Sequence, residues 1–183
     1  MTGISHVRRN GAVALLAALA LAALLAWLHV GATPSDEQHA IDDYPELFVD
    51  LVVCPVRGDP LSDGRRLEEL GLLLADRYPY DAGDGVRAVQ RYREAESCYR
   101  VAGSHSDAAR VGRLITVLAA RVDTDYAAAR LNLVTALDQG RWSDGLSEIH
   151  RLLLFTEHVR RHGYVEWLNK IIGKLVARAS TND

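Results

Sequence analysis

Two histidines provide the clearest metal-ligand spacing in this chain. His158 and His162 lie four residues apart, so a helix would place both imidazoles on one face. Glu157, Arg160 and Arg161 surround them, and no cysteine or carboxylate is placed to complete a closed coordination shell. Histidines near a helix end also complement the helix dipole. We therefore expect a structural role for this pair and no metal site.

Two short carboxylate patterns look like ion-binding loops. Asp81 and Asp84 enclose a glycine, but the acidic series and closing glutamate of an EF-hand are absent, so we expect a turn. Asp123 and Asp125 form an Asp-x-Asp pattern, which at a predicted helix start is typical of a cap and a dipole partner. We predict no catalytic residue, no cofactor-binding residue and no metal ligand, and hence no enzyme.

The strongest signal in the chain is an N-terminal apolar segment. Arg8 and Arg9 precede an apolar run over residues 11–30. As a helix rising about 1.5 Å per residue, this run would span roughly 30 Å, the thickness of a bilayer core. Acidic residues follow from Asp36 onwards, and cationic flanks stay in the cytoplasm. The pattern predicts a single transmembrane helix, with the rest of the chain outside the cytoplasm.

A cleaved secretory signal is the alternative interpretation of the same segment. Small residues at its exit, Val30-Gly31-Ala32, fit a cleavage site after Ala32. The apolar stretch exceeds the roughly 7–15 residues of a signal core, however, and Trp27 is typical of an interfacial anchor. We favour a retained signal anchor on length.

The anchor divides the chain into five parts. We predict a cytoplasmic N-terminus at 1–10, a transmembrane helix or uncleaved signal anchor at 11–30, a linker at 31–43, a helical domain at 44–179 and a tail at 180–183. After position 32 there are 24 acidic and 19 basic residues, a net charge of −5. Since nucleic-acid binders carry a basic patch that neutralises phosphates, we expect no nucleic-acid partner.

The two cysteines leave two alternatives open. In an exported chain Cys54 and Cys98 can form a disulfide, which in the chain-entropy model would stabilise the fold by about 4 kcal/mol. They can equally be two buried thiols, since the sequence does not supply the Cα separation that decides the question. No Cys-x-x-Cys motif is present.

Helical periodicity runs through the rest of the chain, and no segment alternates strictly between apolar and polar residues over five positions. The pattern predicts an all-α fold of antiparallel helical hairpins, with Leu67, Leu70, Leu73 and Leu74 on the inner face of an early helix. Gly103 is placed as the residue that ends a helix. We predict helices over 44–53, 65–78, 84–102, 106–121, 123–139 and 143–161, and a last helix after 163.

Part of this pattern resembles the tetratricopeptide repeat, whose first helix carries leucine and Leu-Gly positions and whose second carries alanine, an aromatic residue and alanine. The resemblance implies that Gly71 and Ala95 let two helices approach closely while Tyr99 fills the groove beside them. The matching residues are Leu67, Leu70-Gly71 and Leu74, followed by Ala95, Tyr99 and Ala102.

A second partial match surrounds the segment 139–146. Gly140 would end one helix, Trp142 would pack across it, Gly145 would take the small position and Ile149 the aromatic one. The spacing departs from the family, because 21 residues separate Leu74 from Ala95 where the family has about nine. The resemblance covers residues 65–158 and implies tetratricopeptide-like helical hairpins.

Anchor and hairpins together predict an adaptor. We expect a single-pass protein of a bacterial inner membrane, with its N-terminus cytoplasmic and a tetratricopeptide-like domain in the periplasm that binds the protein partners of an envelope assembly. The expected protein-binding residues are the large aromatics Tyr92, Tyr99, Trp142 and Trp167. The sequence indicates no cofactor and no small-molecule ligand.

The alternative function follows from cleavage after Ala32. In that case the chain would be a secreted or periplasmic helical enzyme or ligand-binding domain. Such a domain would need a pocket of convergent polar groups, for example His105, His150 or Asp123. N-terminal sequencing separates the two hypotheses, because the cleaved chain begins at Thr33.

Overall fold

Residues 43–55, 58–159 and 161–180 are described by a computed structural model. That part of the chain contains five α-helices and no β-strand, so the prediction of an all-α fold is confirmed. Short connections follow each helix, and each helix packs on the next one along the chain. The helices are α1 (Pro60–Arg77), α2 (Ala82–Val101), α3 (His105–Asp138), α4 (Trp142–Phe155) and α5 (Gly163–Ala179).

The predicted transmembrane segment at 11–30 and nearly all of the predicted linker lie outside the described residues. Within the described ranges, none of the helices is both long enough and apolar enough to cross a bilayer.

Aspartates set the starts of the first two helices. The Asp59 carboxylate accepts a hydrogen bond from the Ser62 amide at 2.9 Å, and Pro60 takes the first helical position. The Asp81 carboxylate accepts one from the Gly83 amide at 2.8 Å. The predicted starts at 65 and 84 were therefore late, because these aspartates cap the helices earlier.

The long helix α3 corrects the prediction of two helices over 106–121 and 123–139. Val122, at the expected break, is fully buried, and residues 113–138 contain neither glycine nor proline. Thr124, one of the two predicted caps, instead donates its hydroxyl to the Ala120 carbonyl at 2.8 Å. Nothing in this segment terminates a helix, so it continues for 34 residues.

Residues 43–55, called the strap below, correct the prediction of a helix over 44–53. The strap is irregular and lies against the helices. Arg93 on α2 donates hydrogen bonds to the carbonyls of Phe48 and Asp50, at 3.1 and 2.8 Å, and His158 Nε2 lies 3.0 Å from the Leu47 carbonyl. Backbone groups that would otherwise bond within a helix are satisfied by these side chains.

A disulfide fixes the end of the strap. The sulfur atoms of Cys54 and Cys98 are bonded, with their Cα atoms 4.7 Å apart. Of the two alternatives left open by the sequence, the structure thus contains the disulfide. Helices α1 and α2 pack on each other and are called the first hairpin below. Cys98 is fully buried on α2, so the bond ties the strap to the core of the first hairpin.

Glycines set the close approach of α1 and α2. A Cβ added at Gly71 would lie 2.7 Å from the Tyr92 ring, and one added at Gly64 would lie 3.0 Å from the Tyr99 ring. The close approach predicted at Gly71 is therefore confirmed, but its partner is Tyr92, where the sequence analysis placed Ala95.

The packing of α1 also corrects its predicted inner face. Leu67 is buried, as expected, but Leu70 and Leu73 are 39% and 63% exposed. The buried face instead follows Gly64, Leu67 and Gly71, since the two tyrosine rings need the space that glycine leaves.

Helix ends in the second half follow glycine and threonine. Gly103 and Gly140 have φ angles of +72° and +68° after α2 and α3, which confirms the ending predicted at Gly103. Helix α4 ends at Phe155 and not near 161 as predicted, and the buried Thr156 side chain donates to the Leu152 carbonyl at 2.8 Å. The His162 side chain caps α5 by accepting from the Tyr164 amide.

Candidate functional site

A cleft of about 520 Å³ lies between α3 and α4. This volume lies within the range of roughly 300–1,000 Å³ that small-molecule sites have. Helical spacing places the lining residues of each helix on one face. Arg121 and Asp125 are one turn apart on α3. The α4 residues are spaced three or four positions apart: Ser147, His150, Arg151 and Leu154. We call it the arginine cleft; it is lined by Tyr78, Pro79, Tyr80, Ala82, Arg121, Asp125, Ser147, His150, Arg151 and Leu154.

A buried tyrosine in the cleft holds one of its acidic residues. The Tyr78 hydroxyl donates a hydrogen bond to Asp125 Oδ2 at 2.5 Å. Burial, followed by this hydrogen bond, raises the pKa of Tyr78, so the phenol keeps its proton. Gly85 lies against the ring, and an added Cβ there would come within 2.5 Å of Tyr78 Cε2. The ring is thus fixed in place, and it orients Asp125.

Two arginines give the cleft its charge. The Arg121 guanidinium lies 5.4 Å from the Tyr78 ring centroid, and that of Arg151 lies 5.7 Å from the Phe155 ring centroid, both within the distance of cation–π contacts. Neither arginine forms an ion pair with any residue of the described ranges. With the single carboxylate of Asp125, the cleft is cationic inside an acidic chain.

A serine, a histidine and an aspartate line this cleft, but no hydrogen bond joins them in the described structure. The Ser147 hydroxyl donates to the Ser143 carbonyl at 3.2 Å, and Asp125 accepts from Tyr78. Activation of a serine nucleophile needs a base within hydrogen-bond reach and an acid that orients the base. The arrangement here supports the binding of an anion and lacks that relay.

A second concavity, of about 310 Å³, lies between the strap and α3. The Arg130 guanidinium stacks 3.2 Å from the Tyr44 ring centroid and lies 5.0 Å from that of Tyr126. The Tyr126 hydroxyl and Arg130 Nε are buried without a hydrogen-bond partner in the described structure. Asp123, which also lines the concavity, has its pKa raised by burial and then by Glu46. Both atoms are out of contact with solvent, so neither is presented to a ligand in this structure.

A buried carboxylate links the start of α2 to its neighbours. Asp84 is 1% exposed and accepts two hydrogen bonds from Arg87, at 2.7 and 3.1 Å. Arg77 Nη2 lies 2.8 Å from Asp84 Oδ2, close enough for an ion pair but not aligned for a hydrogen bond. Arg87 also reaches Glu157 at 2.7 Å, so the network joins α2 to the segment that follows α4. Its hydrogen bonds to Asp84 raise the pKa of Arg87.

Replacement of this carboxylate is expected to destabilise the fold. Asp84→Asn removes a buried charge that two arginines share, so we expect the free energy of unfolding to fall by about 2 kcal/mol. Asp144→Asn is the matched control, since Asp144 forms an exposed pair with Arg141 and exposed pairs contribute roughly 0–1 kcal/mol. Urea unfolding measures both; equal losses would contradict the role of Asp84.

A second polar cluster joins α1 to α2 and α3. Glu68 Oε2 accepts hydrogen bonds from the Tyr99 hydroxyl at 2.8 Å and from Arg110 at 3.0 Å, and Arg110 also bonds Glu68 Oε1. The hydrogen bonds from Arg110, more than those from Tyr99, hold the pKa of Glu68 below its ordinary value of 4.5. Burial and Glu68 raise the pKa of Tyr99 to about 12.

The lowered pKa of Glu68 predicts an acid-dependent loss of stability. Ionised Glu68 favours the folded state at neutral pH, and this contribution disappears as the pH falls below 4.5 through the folded-state pKa. We expect Glu68→Gln to cost about 1.5 kcal/mol at pH 7 and progressively less as the pH falls below 4.5. Urea unfolding across this range checks it, and a cost independent of pH would contradict it.

The aromatic residues predicted to bind protein lie in two different parts of the fold. Tyr92 and Tyr99 are 3% and 1% exposed in the core of the first hairpin. Trp167 is buried on α5, and Trp142, at the start of α4, lies under the Arg178 guanidinium. The structure does not bring the four onto one surface. The two tyrosines are buried, so they present almost no surface to a partner. A protein-binding role for these residues stays a prediction.

The histidines and the aspartate proposed for a polar pocket are also dispersed. His150 lines the arginine cleft, Asp123 lines the concavity under the strap, and His105 is exposed at the start of α3. These three residues therefore lie at separate places in the fold, and of the three only His150 lines the arginine cleft. His158 contacts the strap and His162 caps α5, which gives both the structural roles expected for them.

Sequence reasoning missed the main residues of the arginine cleft. Arg121 and Arg151 were not singled out, and Asp125 was interpreted only as part of a helix start. One usable signal was present: Arg121 and Asp125 are four residues apart, as are Ser147 and Arg151. Arg121 and Asp125 share a face only if one helix contains both. The predicted break at 122 placed them in two different helices.

No protein-family model, curated protein or solved structure matches this chain at a significant level.

Proposed function

We propose that this protein is a single-pass, membrane-anchored adaptor whose tetratricopeptide-like helical domain binds a protein partner in a bacterial envelope assembly. The N-terminus would be cytoplasmic, the segment 11–30 would span the inner membrane, and the helices would lie in the periplasm. The supporting observations are an exposed apolar surface, the disulfide and the sequence of the anchor.

The exposed surface of α1 carries the proposal. Leu70 and Leu73 lie one helical turn apart and are 39% and 63% exposed, and Leu72 beside them is 55% exposed. We call these three residues the α1 leucine surface. Helix α1 packs mainly on α2, and it is the first helix of the described stack. Several exposed leucines on one helix favour a protein–protein interaction site, since a partner removes them from water.

A helix at the end of a stack is suited to receive another helix. In helical repeat proteins each unit buries its apolar face on the next, and an end unit without a polar outer face needs a partner. The sequence analysis expected Leu70 and Leu73 to face inward because their spacing is that of a packed face. We infer that the partner supplies this packing.

The disulfide supports the proposed compartment. Disulfides form and persist in oxidising environments such as the periplasm and are rare in the cytosol. The Cys54–Cys98 bond lies after the predicted anchor, on the side that the positive residues Arg8 and Arg9 assign to the exterior.

The test compares leucine variants of full-length, tagged protein purified from detergent-solubilised membranes. We expect a protein that co-purifies at a fixed ratio with the wild type to be lost from Leu70→Asp/Leu73→Asp. Leu131→Asp is the matched control, because Leu131 is 67% exposed on α3 and does not belong to the α1 leucine surface. The proposal would be contradicted if both variants retained equal amounts of the co-purifying protein. It would also be contradicted if the wild type were monomeric and without a partner.

The arginine cleft favours one alternative function. Its volume and charge fit a secreted or periplasmic ligand-binding domain or enzyme released by cleavage after Ala32. N-terminal sequencing of protein from cells decides between them. A chain beginning at Met1 in the membrane fraction supports the adaptor, and one beginning at Thr33 in the soluble periplasm supports the alternative.

A further inference from the structure

We propose that the arginine cleft binds the phosphate group of a ligand. This inference goes beyond the adaptor function and does not depend on it, because the cleft and the α1 leucine surface share no residue.

The donors that line the cleft suit a phosphate. Arg121 on α3 and Arg151 on α4 approach it from opposite walls, and His150 and Ser147 line the same wall as Arg151. Phosphate oxygens accept several hydrogen bonds at once, and guanidinium groups bind them in a planar, bidentate geometry. Two guanidiniums on separate helices match a tetrahedral anion better than they match a single planar carboxylate.

Both arginines are available and already positioned. Neither is used in an ion pair within the described chain, in contrast to Arg77, Arg87 and Arg110, whose charges are matched by carboxylates. Their contacts with the rings of Tyr78 and Phe155 restrict the side chains without neutralising them. Less side-chain freedom is then lost when the ligand binds.

The negative charge of Asp125 repels an anion in this cleft, and two features of the structure reduce that repulsion. Its Oδ2 accepts the hydrogen bond of the Tyr78 hydroxyl, which partly compensates the charge. The two guanidiniums outnumber the one carboxylate. Asp125 also accepts hydrogen bonds, so it can bind a hydroxyl group next to the phosphate of a phosphate ester.

The rim of the cleft suits the rest of such a ligand. Tyr80 is 92% exposed beside Pro79, and Leu154 is 41% exposed across from them. An aromatic and an aliphatic side chain at the mouth can contact the carbon skeleton of a polyol phosphate. The same chemistry is offered by a soluble phosphate ester and by the headgroup of an anionic phospholipid.

The test follows the arginine side-chain Nε–H resonances of full-length protein by ¹⁵N nuclear magnetic resonance. In neutral detergent micelles the probe is glycerol 3-phosphate. In a second arm the protein is placed in phosphatidylcholine bilayers with and without phosphatidylglycerol. Arg121→Gln and Arg151→Gln assign the resonances, and Arg113→Gln is the matched control, since Arg113 is exposed on α3 outside the cleft.

We expect saturable shifts of the Arg121 and Arg151 resonances, with affinity reduced about tenfold or more in either cleft variant and unchanged in Arg113→Gln. Shifts with glycerol 3-phosphate in micelles support a soluble ester, and shifts only in phosphatidylglycerol bilayers support a lipid headgroup. Absence of shifts in both arms overturns the proposal. Equal shifts with succinate, a carboxylate probe, overturn it as well.

Discussion

Replacing both Cys54 and Cys98 by alanine is expected to lower the free energy of unfolding by about 4 kcal/mol. The bond joins residues 44 positions apart, and in the chain-entropy model its removal frees the unfolded chain to adopt many more conformations. Such a loss is a large fraction of the 5–15 kcal/mol, roughly, that stabilise a typical domain. Equilibrium unfolding in urea measures it.

Reduction of the wild type provides the control for the disulfide variant. In the presence of dithiothreitol the wild-type midpoint is expected to fall most of the way to that of the double variant, because both lack the cross-link and the double variant also lacks the buried sulfur of Cys98. The double variant itself is expected not to respond to reductant. A wild type with the same midpoint with and without reductant would show that the bond contributes nothing.

A side chain at Gly71 is expected to cost about 3 kcal/mol. Gly71→Leu places its Cβ 2.7 Å from the ring of Tyr92, which is 3% exposed and cannot rotate away. Either α1 and α2 separate or the ring moves into the core, and overpacking of this kind costs about 1–3 kcal/mol, occasionally more. Urea unfolding of the variant measures the loss.

Gly173→Leu is the matched control for this substitution. Gly173 lies in α5, where an added Cβ meets no atom within 4 Å. Leucine has the higher helix propensity, so this variant is expected to gain up to about 1 kcal/mol. A lower free energy of unfolding for Gly71→Leu and a higher one for Gly173→Leu would establish that the cost at Gly71 arises from contact with Tyr92. A neutral Gly71→Leu would contradict the packing of the first hairpin.

Local rules were sufficient to predict the helical class and several boundaries. The period of the apolar residues, together with Gly103, located α2 within two residues at its start and one at its end. The close approach at Gly71 followed from its lack of a side chain, but its partner Tyr92 depends on the register of two helices. The register of α1 against α2 depends on how the two helices pack, and neither segment of sequence determines it alone.

The strap and α3 show why other predictions were wrong. Leu47, Phe48, Leu51 and Val52 have helical spacing, but hydrogen bonds from Arg93 and His158 to strap carbonyls favour an irregular path. At residues 123–125 the sequence offered plausible caps, and the burial of Val122 keeps the helix continuous. In both cases tertiary contacts override a local preference.

The arginine cleft was beyond the reach of the sequence for a related reason. Its residues extend from Tyr78 to Leu154, on α3, α4, the first residue of α2 and the turn that precedes it. Each is ordinary in its local segment: two arginines and an aspartate within helices, and a tyrosine at a turn. Only the fold brings them together, because the cleft residues are far apart along the chain.

The central claim, that the α1 leucine surface binds a protein partner, is tested most directly by site-specific photocrosslinking in intact cells. A photoreactive amino acid replaces Leu73 in one full-length variant and Leu131, equally exposed on α3, in another. We predict one discrete covalent adduct from position 73 and none of that mass from position 131. No adduct at position 73, or the same adducts from both positions, would contradict the account.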